Sequence, residues 1–357
     1  MNNLLDKIIN TIKNNNLIIN GDKIVLAVSG GPDSISMLDA LYKIYCQVNP
    51  ESMVILPSKP GTDYNNFVVA HVNHMIREEA GEDEYFVRDY CKKLGIEFYS
   101  KSIDVKKIAD NNKIGLEEAG RKARYEFFDE VALKVGANKI AVAHNKNDSV
   151  ETVIMHALRG SGTKGLEGIQ AKNGKYIRPL IDCERTEIED YCKENNINAR
   201  IDKTNFENTY TRNKIRNIVI PYVKEEFNPN IIETISRLSS LIKEENDFID
   251  SQVERIYKEI VVKDIFNDIK KIDNNNIKTQ SDTSIVLDLK SFNLQEKVIK
   301  SRLVLYTINR LFGTTQGIEK IHIEDIIKLC ENNIGNKYLT PNKNIKVFVK
   351  ARKDRVY

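Results

Sequence analysis

The sequence predicts an α/β protein, in which a Rossmann-like parallel sheet is followed by a smaller, mostly helical α+β domain. Short apolar, strand-like runs alternate with patterns of helical periodicity over the first part of the chain. The strand-like runs are 23–28, 67–72, 96–103 and 139–143, and the helical patterns are 34–45, 79–94 and 116–135. Such alternation is typical of a parallel sheet with helices on both faces.

The pattern changes after about residue 220, where we place a domain boundary beside Pro221. Residues 230–275 are charged and helical, with no strand signal, and 270–284 is a polar, Asn-rich loop. A strand over 284–289, two helical patterns and short strands from Lys337 complete the chain. The sequence thus predicts two domains, 1–220 and 221–357.

The N-terminus predicts an amphipathic helix docked on the first domain. Its apolar residues fall on one helical face: Leu4, Leu5, Ile8, Ile9 and Ile12. This stretch has neither the uninterrupted apolar core nor the cleavage site of a signal peptide. No apolar run reaches the ~18 residues that a membrane helix needs. We therefore expect a cytoplasmic protein with no membrane partner.

The cysteines argue against a disulfide framework and against a zinc ribbon. The chain has 5 of them, an odd number, and no two are spaced CxxC. The pair His71 and His74 is spaced HxxH but has no third ligand nearby, so a zinc site is not expected there. Reduced thiols fit a cytosolic protein.

The Gly-rich segment after the first predicted strand has the features of a phosphate-binding loop. It reads Ser29-Gly30-Gly31-Pro32-Asp33-Ser34 and opens a helix. Glycines let the backbone approach a phosphate closely, and the N–H groups of the loop and helix start face the anion. We therefore predict that all six residues bind a nucleotide.

Asp33 is the unusual member of this loop, because a carboxylate beside a phosphate is repulsive. Its presence is explained if it holds Mg²⁺ between itself and the phosphates. The loop lacks the GK[ST] ending of a Walker A motif, so no Lys is placed to reach the β- and γ-phosphates. The sequence therefore does not favour transfer of the γ-phosphoryl group.

The SGGxDS pattern at this position resembles the PP-loop (N-type ATP pyrophosphatase) superfamily. Four further stretches resemble the tRNA(Ile)-lysidine synthetase family within it: 71–77 (HVNHMIR), 117–125 (EEAGRKARY), 143–162 (AHNKNDSVET running into LRGSG) and 211–217 (TRNKIRN). The resemblance implies that ATP and Mg²⁺ are used to adenylylate O2 of the wobble cytidine in a CAU anticodon. The amine of free L-lysine then displaces AMP to form lysidine.

The same resemblance implies catalytic roles for Asp33, Arg124, His144, Asp148 and Glu151. Asp148 and Glu151 lie three residues apart on one helix face, as candidates for Mg²⁺, for the ammonium of lysine or for the base. We assign the metal to Asp33 and Asp148, and expect His71 to line the nucleotide pocket. Two alternatives stay open. Glu151 could be a helix-start charge, and Arg124 could pair with acidic neighbours on its helix.

Basic residues outside the loop predict contact with RNA. We expect Arg159, Arg212, Asn213 and Arg216 to contact tRNA, since Arg212 and Arg216 lie four apart beside Asn side chains. A further basic run occupies 343–355. The alternative is a solvated, basic helix face. The net charge of only +3 shows that any such surface is local.

Two other functions fit the sequence less well than lysidine formation does. A PP-loop enzyme that thiolates a tRNA base usually carries a CxxC pair, and this chain has none. A non-catalytic nucleotide- or RNA-binding module would need neither Asp33 nor the carboxylates at 148 and 151. The resemblance also leaves open a homodimer and a third domain, which longer relatives carry.

Overall fold

In the computed structural model, the described residues are 3–46, 66–73, 80–200, 210–264, 284–332, 338–342, 345–350 and 355–356. The chain forms two compact units, Met1–Ile242 and Lys243–Tyr357. The predicted boundary near residue 220 falls inside the first of these units. The predicted loops 46–64 and 270–284 lie almost entirely outside the described residues. His74 and residues 75–79 also lie outside them.

The first unit is built from alternating helices and strands. Its helices are α1 (Asn3–Asn14), α2 (Pro32–Cys46), α3 (Ala80–Leu94), α4 (Val105–Asn112), α5 (Leu116–Val135), α6 (Lys146–Leu158), α7 (Arg185–Glu194), α8 (Thr211–Lys214) and α9 (Ile220–Glu226). Its strands are β1 (Ile24–Ala27), β2 (Phe67–Asn73), β3 (Glu97–Ser102), β4 (Lys139–Val142), β5 (Lys172–Asn173) and β6 (Tyr176–Ile177). A long helix, α10 (Ile231–Ile260), follows and contains the boundary between the units.

The six strands form one sheet in the order β3-β2-β1-β4-β6-β5. All neighbours are parallel except β5 and β6, which form an antiparallel pair at the edge. The mostly parallel sheet confirms the predicted fold class. Strands β5 and β6 have two residues each, too few for an alternating pattern, and the sequence did not predict them.

Both faces of this sheet are covered by helices, as predicted. One core contains buried residues of α1, α2, α3 and α7 around Leu26, and the other packs α5 against Val25, Val68 and Ile140. Strands that are buried on both faces read as continuous apolar runs, which explains why IVLA and KIAV were recognisable.

Helix α1 is docked as its periodicity predicts. Leu4, Ile8 and Ile12 are buried, at 2%, 0% and 4% exposure. Polar contacts to the region of α7 fix its orientation: Lys7 Nζ lies 2.5 Å from Glu187, and Thr11 Oγ1 donates to Asp182 at 2.6 Å. Because an apolar stripe faces the core and polar groups meet at its border, the helix has one favourable orientation.

The second unit combines helices with an antiparallel sheet. Its helices are α11 (Leu289–Asn293), α12 (Lys297–Phe312) and α13 (Lys320–Glu331), and its strands are β7 (Val261–Asp264), β8 (Ile285–Asp288), β9 (Tyr338–Asn342), β10 (Ile345–Lys350) and β11 (Arg355–Val356). The strand order is β7-β8-β11-β10-β9, with every neighbouring pair antiparallel. This α+β arrangement agrees with the predicted class.

Strand β7 corrects the expectation that residues 230–275 contain no strand. The helix ends at Ile260, and Val261–Asp264 pairs with β8. The β-branched Val261 and Val262 favour extended backbone, but they continue the apolar periodicity of the preceding helix. The partner strand lies some twenty residues later in sequence, so the local pattern did not reveal the pairing. Among the described residues, no helix is long and apolar enough to cross a membrane.

Candidate active site

The predicted site residues meet where the direction of the strand order reverses. Strands β1 and β4 are parallel neighbours, with Ala27 opposite Val142, yet their following helices, α2 and α6, lead into opposite halves of the sheet. The loops after both strands therefore leave from the same edge and diverge. In open α/β sheets, ligands bind in the crevice at this point.

The loop after β1 is held in shape by the hydroxyl of Ser34. Its oxygen accepts the backbone N–H groups of Ser29 at 3.1 Å and Gly30 at 3.2 Å. The same hydroxyl lies 3.0 Å from the carbonyl oxygen of Gly31, to which it can donate. Ser34 therefore closes the loop on itself and fixes the backbone conformation of the loop.

Gly30 is the position where this loop requires glycine. Its φ is +96°, in the left-handed region that other residues rarely adopt. Its carbonyl oxygen accepts the backbone N–H of Arg200 at 3.0 Å. A residue far along the chain thereby fixes the outer side of the loop.

Asn145 joins the loop to the start of α6. It is fully buried and caps α6, because its side-chain oxygen accepts the N–H of Asp148 at 2.9 Å. In return, the Asp148 carboxylate accepts the N–H of Asn145 at 3.1 Å, which completes a capping box. The free amide group, Nδ2, donates to Asp33 at 3.1 Å. One buried amide thus connects the two predicted metal ligands, and the sequence analysis did not assign it a role.

The carboxyl group of Asp33 lies in an unfavourable place for a negative charge. Its pKa is raised to about 6, first by burial and then by the charge of Asp148. Arg185, Asn145 and Arg216 act in the opposite direction. Because the two carboxylates repel each other, a cation bound between them would be stabilised. Two carboxylates also suit Mg²⁺, which is commonly held by one or two of them plus substrate phosphates.

Asp148 and Glu151 form a buried ion-pair network with three arginines. Their exposed fractions are 8% and 1%. Arg216 donates to Glu151 at 2.6 and 2.8 Å and to Asp148 at 3.0 Å. Arg212 Nε donates to Glu151 at 3.0 Å, and Arg185 lies 3.6 Å from both carboxylates. The network gives both buried carboxylates hydrogen-bonded cationic partners, which compensates for the cost of burying them.

The arginines of this network come from two regions of the sequence, one that contains Arg185 and one that contains Arg212 and Arg216. Arg212 is on α8 and Arg216 is in a π-helical turn, Ile215–Val219, which continues into α9. Arg212 and Arg216, four residues apart, contact the same two carboxylates. π-Helical turns are rare and frequently mark functional sites. Arg185 begins α7 and was not predicted, because nothing in its local sequence distinguishes it from a surface arginine.

Two histidines lie near the loop in different environments. His71 Nδ1 donates to the carbonyl oxygen of Val28 at 2.9 Å, and burial lowers its pKa. His71 thus supports the backbone just before the loop. Burial also lowers the pKa of His144, to about 4, so His144 is neutral near pH 7. Its Nδ1 atom is buried without a hydrogen-bond partner.

Three predicted residues take no part in the ion-pair network as described: Arg124, Arg159 and Asn213. Arg124 is on α5, with an exposed side chain. Arg159 caps the far end of α6 and is exposed, about 12 Å along the helix from Glu151 at 1.5 Å per residue. Asn213 is half-buried on α8 between the two arginines. The structure therefore brings together Asp33, His144, Asp148 and Glu151 with Arg212 and Arg216, and leaves Arg159 outside.

Comparison with known proteins agrees with this geometry. A family model of the PP-loop domain matches residues 2–223. The tRNA(Ile)-lysidine synthase of Clostridioides difficile strain 630 is 42% identical over 355 residues, which cover 99% of this chain and 70% of the relative. That of Clostridium tetani is 39% identical over 347 residues, covering 97% and 67%. The chain belongs to the tRNA(Ile)-lysidine synthase family.

The PP-loop domain that this lysidine synthase relative contains is an ATP-using domain. Among solved structures, the U34-tRNA thiolase NcsA from Methanococcus maripaludis has a TM-score of 0.53 at 18% identity. That match covers 67% of this chain and 78% of the thiolase. At this identity the likeness concerns the fold alone. This chain and a thiolating enzyme therefore share a fold.

Proposed function

We propose that this protein joins free L-lysine to C2 of the wobble cytidine in tRNA(Ile) with a CAU anticodon. ATP first adenylylates O2 of the cytosine and pyrophosphate leaves. The ε-amine of lysine then attacks C2 and AMP leaves. The observation that supports this most strongly is the meeting of the PP-loop with two buried carboxylates, in a chain that matches lysidine synthases over nearly its whole length.

The loop and its carboxylates would serve the adenylylation step. Ser29 to Ser34 provide the backbone that surrounds the phosphates, and Asp33 and Asp148 would hold Mg²⁺. Bound there, the metal would neutralise phosphate charge as pyrophosphate leaves. Asn145 keeps the two carboxylates at a fixed separation, since it is bonded to both.

The buried carboxylates would serve the second step. Lysine arrives with an ammonium group whose pKa is near ~10.4 in water, so it needs a negative partner and then a proton acceptor. Glu151 and Asp148 are the buried negative groups of the site, and neutral His144 lies beside Asp148. Arg212 and Arg216 hold the carboxylates in the free protein. Rearrangement of these pairs would open the place for the ammonium.

The RNA would be bound by groups around this site. We infer contacts from Arg159, Asn213, Arg124 and the exposed parts of Arg212 and Arg216, and a tRNA-binding role for residues 221–357. The catalytic domain would comprise residues 1–220. These assignments follow from charge and from the family, and each is open to substitution experiments.

Thiolation of a tRNA base is the second candidate, because a thiolase shares the fold. A thiolating enzyme needs a reactive thiolate. Four cysteines have described side chains, and all four are buried: Cys91, Cys183, Cys192 and Cys330. Burial raises the pKa of each of them, to about 12 for Cys91, Cys183 and Cys330. Thiols in such surroundings are inert, which favours lysine over sulfur as the incoming group.

The experiment is incorporation of radiolabelled lysine into a tRNA(Ile) transcript with a CAU anticodon, in the presence of ATP and Mg²⁺. We expect label in the RNA, and none in a matched transcript whose wobble C is replaced by U. ATP cleavage without any labelled RNA would contradict the assignment of lysine as the substrate.

A further inference from the structure

The phosphate loop carries no cation of its own. Residues 29–34 contain neither Lys nor Arg, and no Lys is placed by the loop to reach the β- and γ-phosphates. Negative charge increases on pyrophosphate as its bond to the α-phosphate breaks, so a cationic donor at that point would lower the barrier. Three arginines from other elements lie at the carboxylates beside this loop: Arg185, Arg212 and Arg216. The charge that the loop lacks can come from one of these.

Hydrogen bonding distinguishes Arg185 from the other two arginines. The Nε atoms of Arg212 and Arg216 donate to Glu151 at 3.0 and 2.6 Å. The guanidinium of Arg185 lies 3.6 Å from Asp148 and 3.6 Å from Glu151, which is too long for a hydrogen bond. Arg185 is thus attracted to the carboxylates by charge without a directed bond to them. Its side chain can turn toward another anion at a lower cost than the other two.

The packing of α7 against α2 brings Arg185 to the anion-binding end of α2. The two helices run in the same direction, as two contacts show: Ser36 Oγ lies 3.0 Å from Cys192 Sγ, and Lys43 donates to Asn195 at 2.6 Å. Counted back from the first of these contacts, Asp33 is three residues away on α2 and Arg185 is seven residues away on α7. At 1.5 Å per residue, Arg185 lies roughly 6 Å farther along the helix direction than Asp33. That is the side of a helix N-terminus on which phosphate groups bind.

The charge of Arg185 acts on the phosphate loop. Burial and the charge of Asp148 raise the pKa of Asp33, and the charge of Arg185 is the largest effect that lowers it. This effect exceeds that of the hydrogen bond from Asn145, which contacts Asp33 directly. The guanidinium is therefore close enough to the loop to interact with an anion bound there.

The backbone at Arg185 is held in place, so only the side chain needs to move. The N–H of Arg185 donates to Asn147 Oδ1 at 2.9 Å. Just before it, the carbonyl oxygen of Cys183 accepts the N–H of Lys146 at 2.9 Å. Both contacts tie the start of α7 to the start of α6. A cation on a fixed backbone is positioned in advance for a reacting group.

We propose that Arg185 binds the β-phosphate of ATP and stabilises pyrophosphate as it leaves. The inference rests on the proposed function, since it concerns the adenylylation step. In that step, the bond from the α-phosphorus to the oxygen that bridges to the β-phosphate breaks. A bond from the α-phosphorus to O2 of the cytosine forms, and the electron pair of the broken bond leaves on pyrophosphate. Arg185 keeps its protons and donates hydrogen bonds to the leaving group.

The first test measures binding without turnover. Calorimetry compares AMP with α,β-methylene-ATP, which cannot be cleaved between the α- and β-phosphates, each in the presence of Mg²⁺. In Arg185→Ala, we expect the Kd of α,β-methylene-ATP to rise about tenfold, as for loss of a hydrogen bond between charged groups. The Kd of AMP should not change, because AMP has no β-phosphate. Arg185→Lys keeps the charge but loses the planar pair of donors, and should lie between the wild type and Arg185→Ala.

Lys193→Ala is the matched control on the same helix. Lys193 is 75% exposed and pairs with Asp190 at 2.9 Å. Its removal should leave both Kd values as in the wild type. If Arg185→Ala does not fold, Arg185→Lys provides the same comparison of the two nucleotides.

The second test separates the two chemical steps in a single turnover. With saturating ATP and no lysine, Arg185→Ala should slow the transfer of AMP to tRNA about a hundredfold, as for loss of one donor to a developing charge. Once the adenylylated tRNA has formed, its discharge by added lysine should proceed at the wild-type rate. Slower discharge with normal AMP transfer would assign Arg185 to the lysine step and overturn the proposal.

The outcomes distinguish this inference from the function on which it rests. An unchanged Kd of α,β-methylene-ATP in Arg185→Ala contradicts the role of Arg185 alone, and so does an equal rise for AMP and for the analogue. A protein in which Arg185→Ala weakens the analogue selectively, but which never labels tRNA, supports the phosphate contact and contradicts the proposed function.

Discussion

The ionised side chain of Asp33 destabilises the folded protein, at the position where the proposed function needs a negative charge. Its ordinary pKa of 3.8 is raised to about 6, so its charged form is disfavoured in the folded protein. The pKa of this group is higher in the folded state than in the unfolded state. Its contribution to the stability of the protein is therefore present at low pH and is lost as pH rises from about 4 to about 6. A strongly shifted pKa of this kind is typical of groups at functional sites, which agrees with the metal-binding role proposed for Asp33.

The substitution Asp33→Asn should therefore stabilise the protein while removing its activity. We expect the free energy of unfolding to rise by about 1–3 kcal/mol at pH 7.5, from a pKa shift of roughly two units at 1.36 kcal/mol each. The gain should disappear below about pH 4, where the carboxyl group is protonated in both states. Thermal melts across pH measure this effect, and a variant less stable than the wild type at pH 7.5 would contradict it.

The same pKa predicts how activity depends on pH. If Asp33 holds Mg²⁺ in its ionised form, as proposed, the kcat/KM for ATP should rise about tenfold per pH unit below 6 and level off above it. Initial rates at saturating tRNA measure this profile. A profile that is flat between pH 5 and pH 7 would mean that ionisation of Asp33 does not limit the free enzyme.

Glu151 is the most buried member of the ion-pair network. Glu151→Gln keeps the shape but leaves the arginines without one of their two carboxylates. We expect a loss of about 3–5 kcal/mol in the free energy of unfolding, as when a buried ion pair is broken. Glu126→Gln is the control, because Glu126 is exposed and its ion pair with Lys122 is long, at 4.0 Å. It should cost less than about 0.5 kcal/mol. Urea denaturation measures both, and equal effects would contradict a structural role for the network.

At the scale of elements, the segment from α8 through the π-helical turn to α9 has two tasks. Its arginines hold the carboxylates of α6, and the same side chains are 21–25% exposed and are proposed to contact RNA. These tasks can be separated, because an RNA phosphate contact changes the salt dependence of binding and an internal ion pair does not.

Arg212→Ala should weaken tRNA binding and reduce the slope of log Kd against log salt by about one. Binding curves at several salt concentrations measure this slope. Lys214→Ala provides the comparison, since Lys214 is an exposed neighbour on α8. An unchanged slope in Arg212→Ala together with a lower melting temperature would limit Arg212 to the ion-pair network.

Helix α1 illustrates an element whose role is only structural. Ile8 is 0% exposed in the core between α1 and the sheet domain. Ile8→Ala should lower the free energy of unfolding by about 2–5 kcal/mol, whereas Ile19→Ala, at a 54% exposed position, should change it little. Denaturant titration of the two variants checks this prediction, and similar values would show that α1 is not docked in solution.

At the scale of the whole molecule, the parts that were predictable are the contiguous ones. The phosphate loop, Asp33 and the pair Asp148 and Glu151 each lie within a short stretch at a strand end, where spacing and residue type carry the information. The parallel strands were predictable because burial on both faces makes each of them a continuous apolar run.

The parts that escaped prediction depend on contacts between distant residues. Asn145 was within a recognised stretch, but its bond to Asp33 spans 112 positions. Arg185 became visible only in the folded chain, where it lies 3.6 Å from the carboxylates of Asp148 and Glu151. Three-dimensional proximity of this kind has no local pattern.

The proposed function requires that the crevice after β1 and β4 transfers AMP to tRNA. The most direct measurement uses ATP labelled at the α-phosphate, with tRNA(Ile) of CAU anticodon and no lysine, in a single turnover. We expect label on the tRNA, which is released as AMP when lysine is added, and no label with Asp33→Asn. Cleavage of ATP without any labelled tRNA, or labelling that persists in Asp33→Asn, would contradict it.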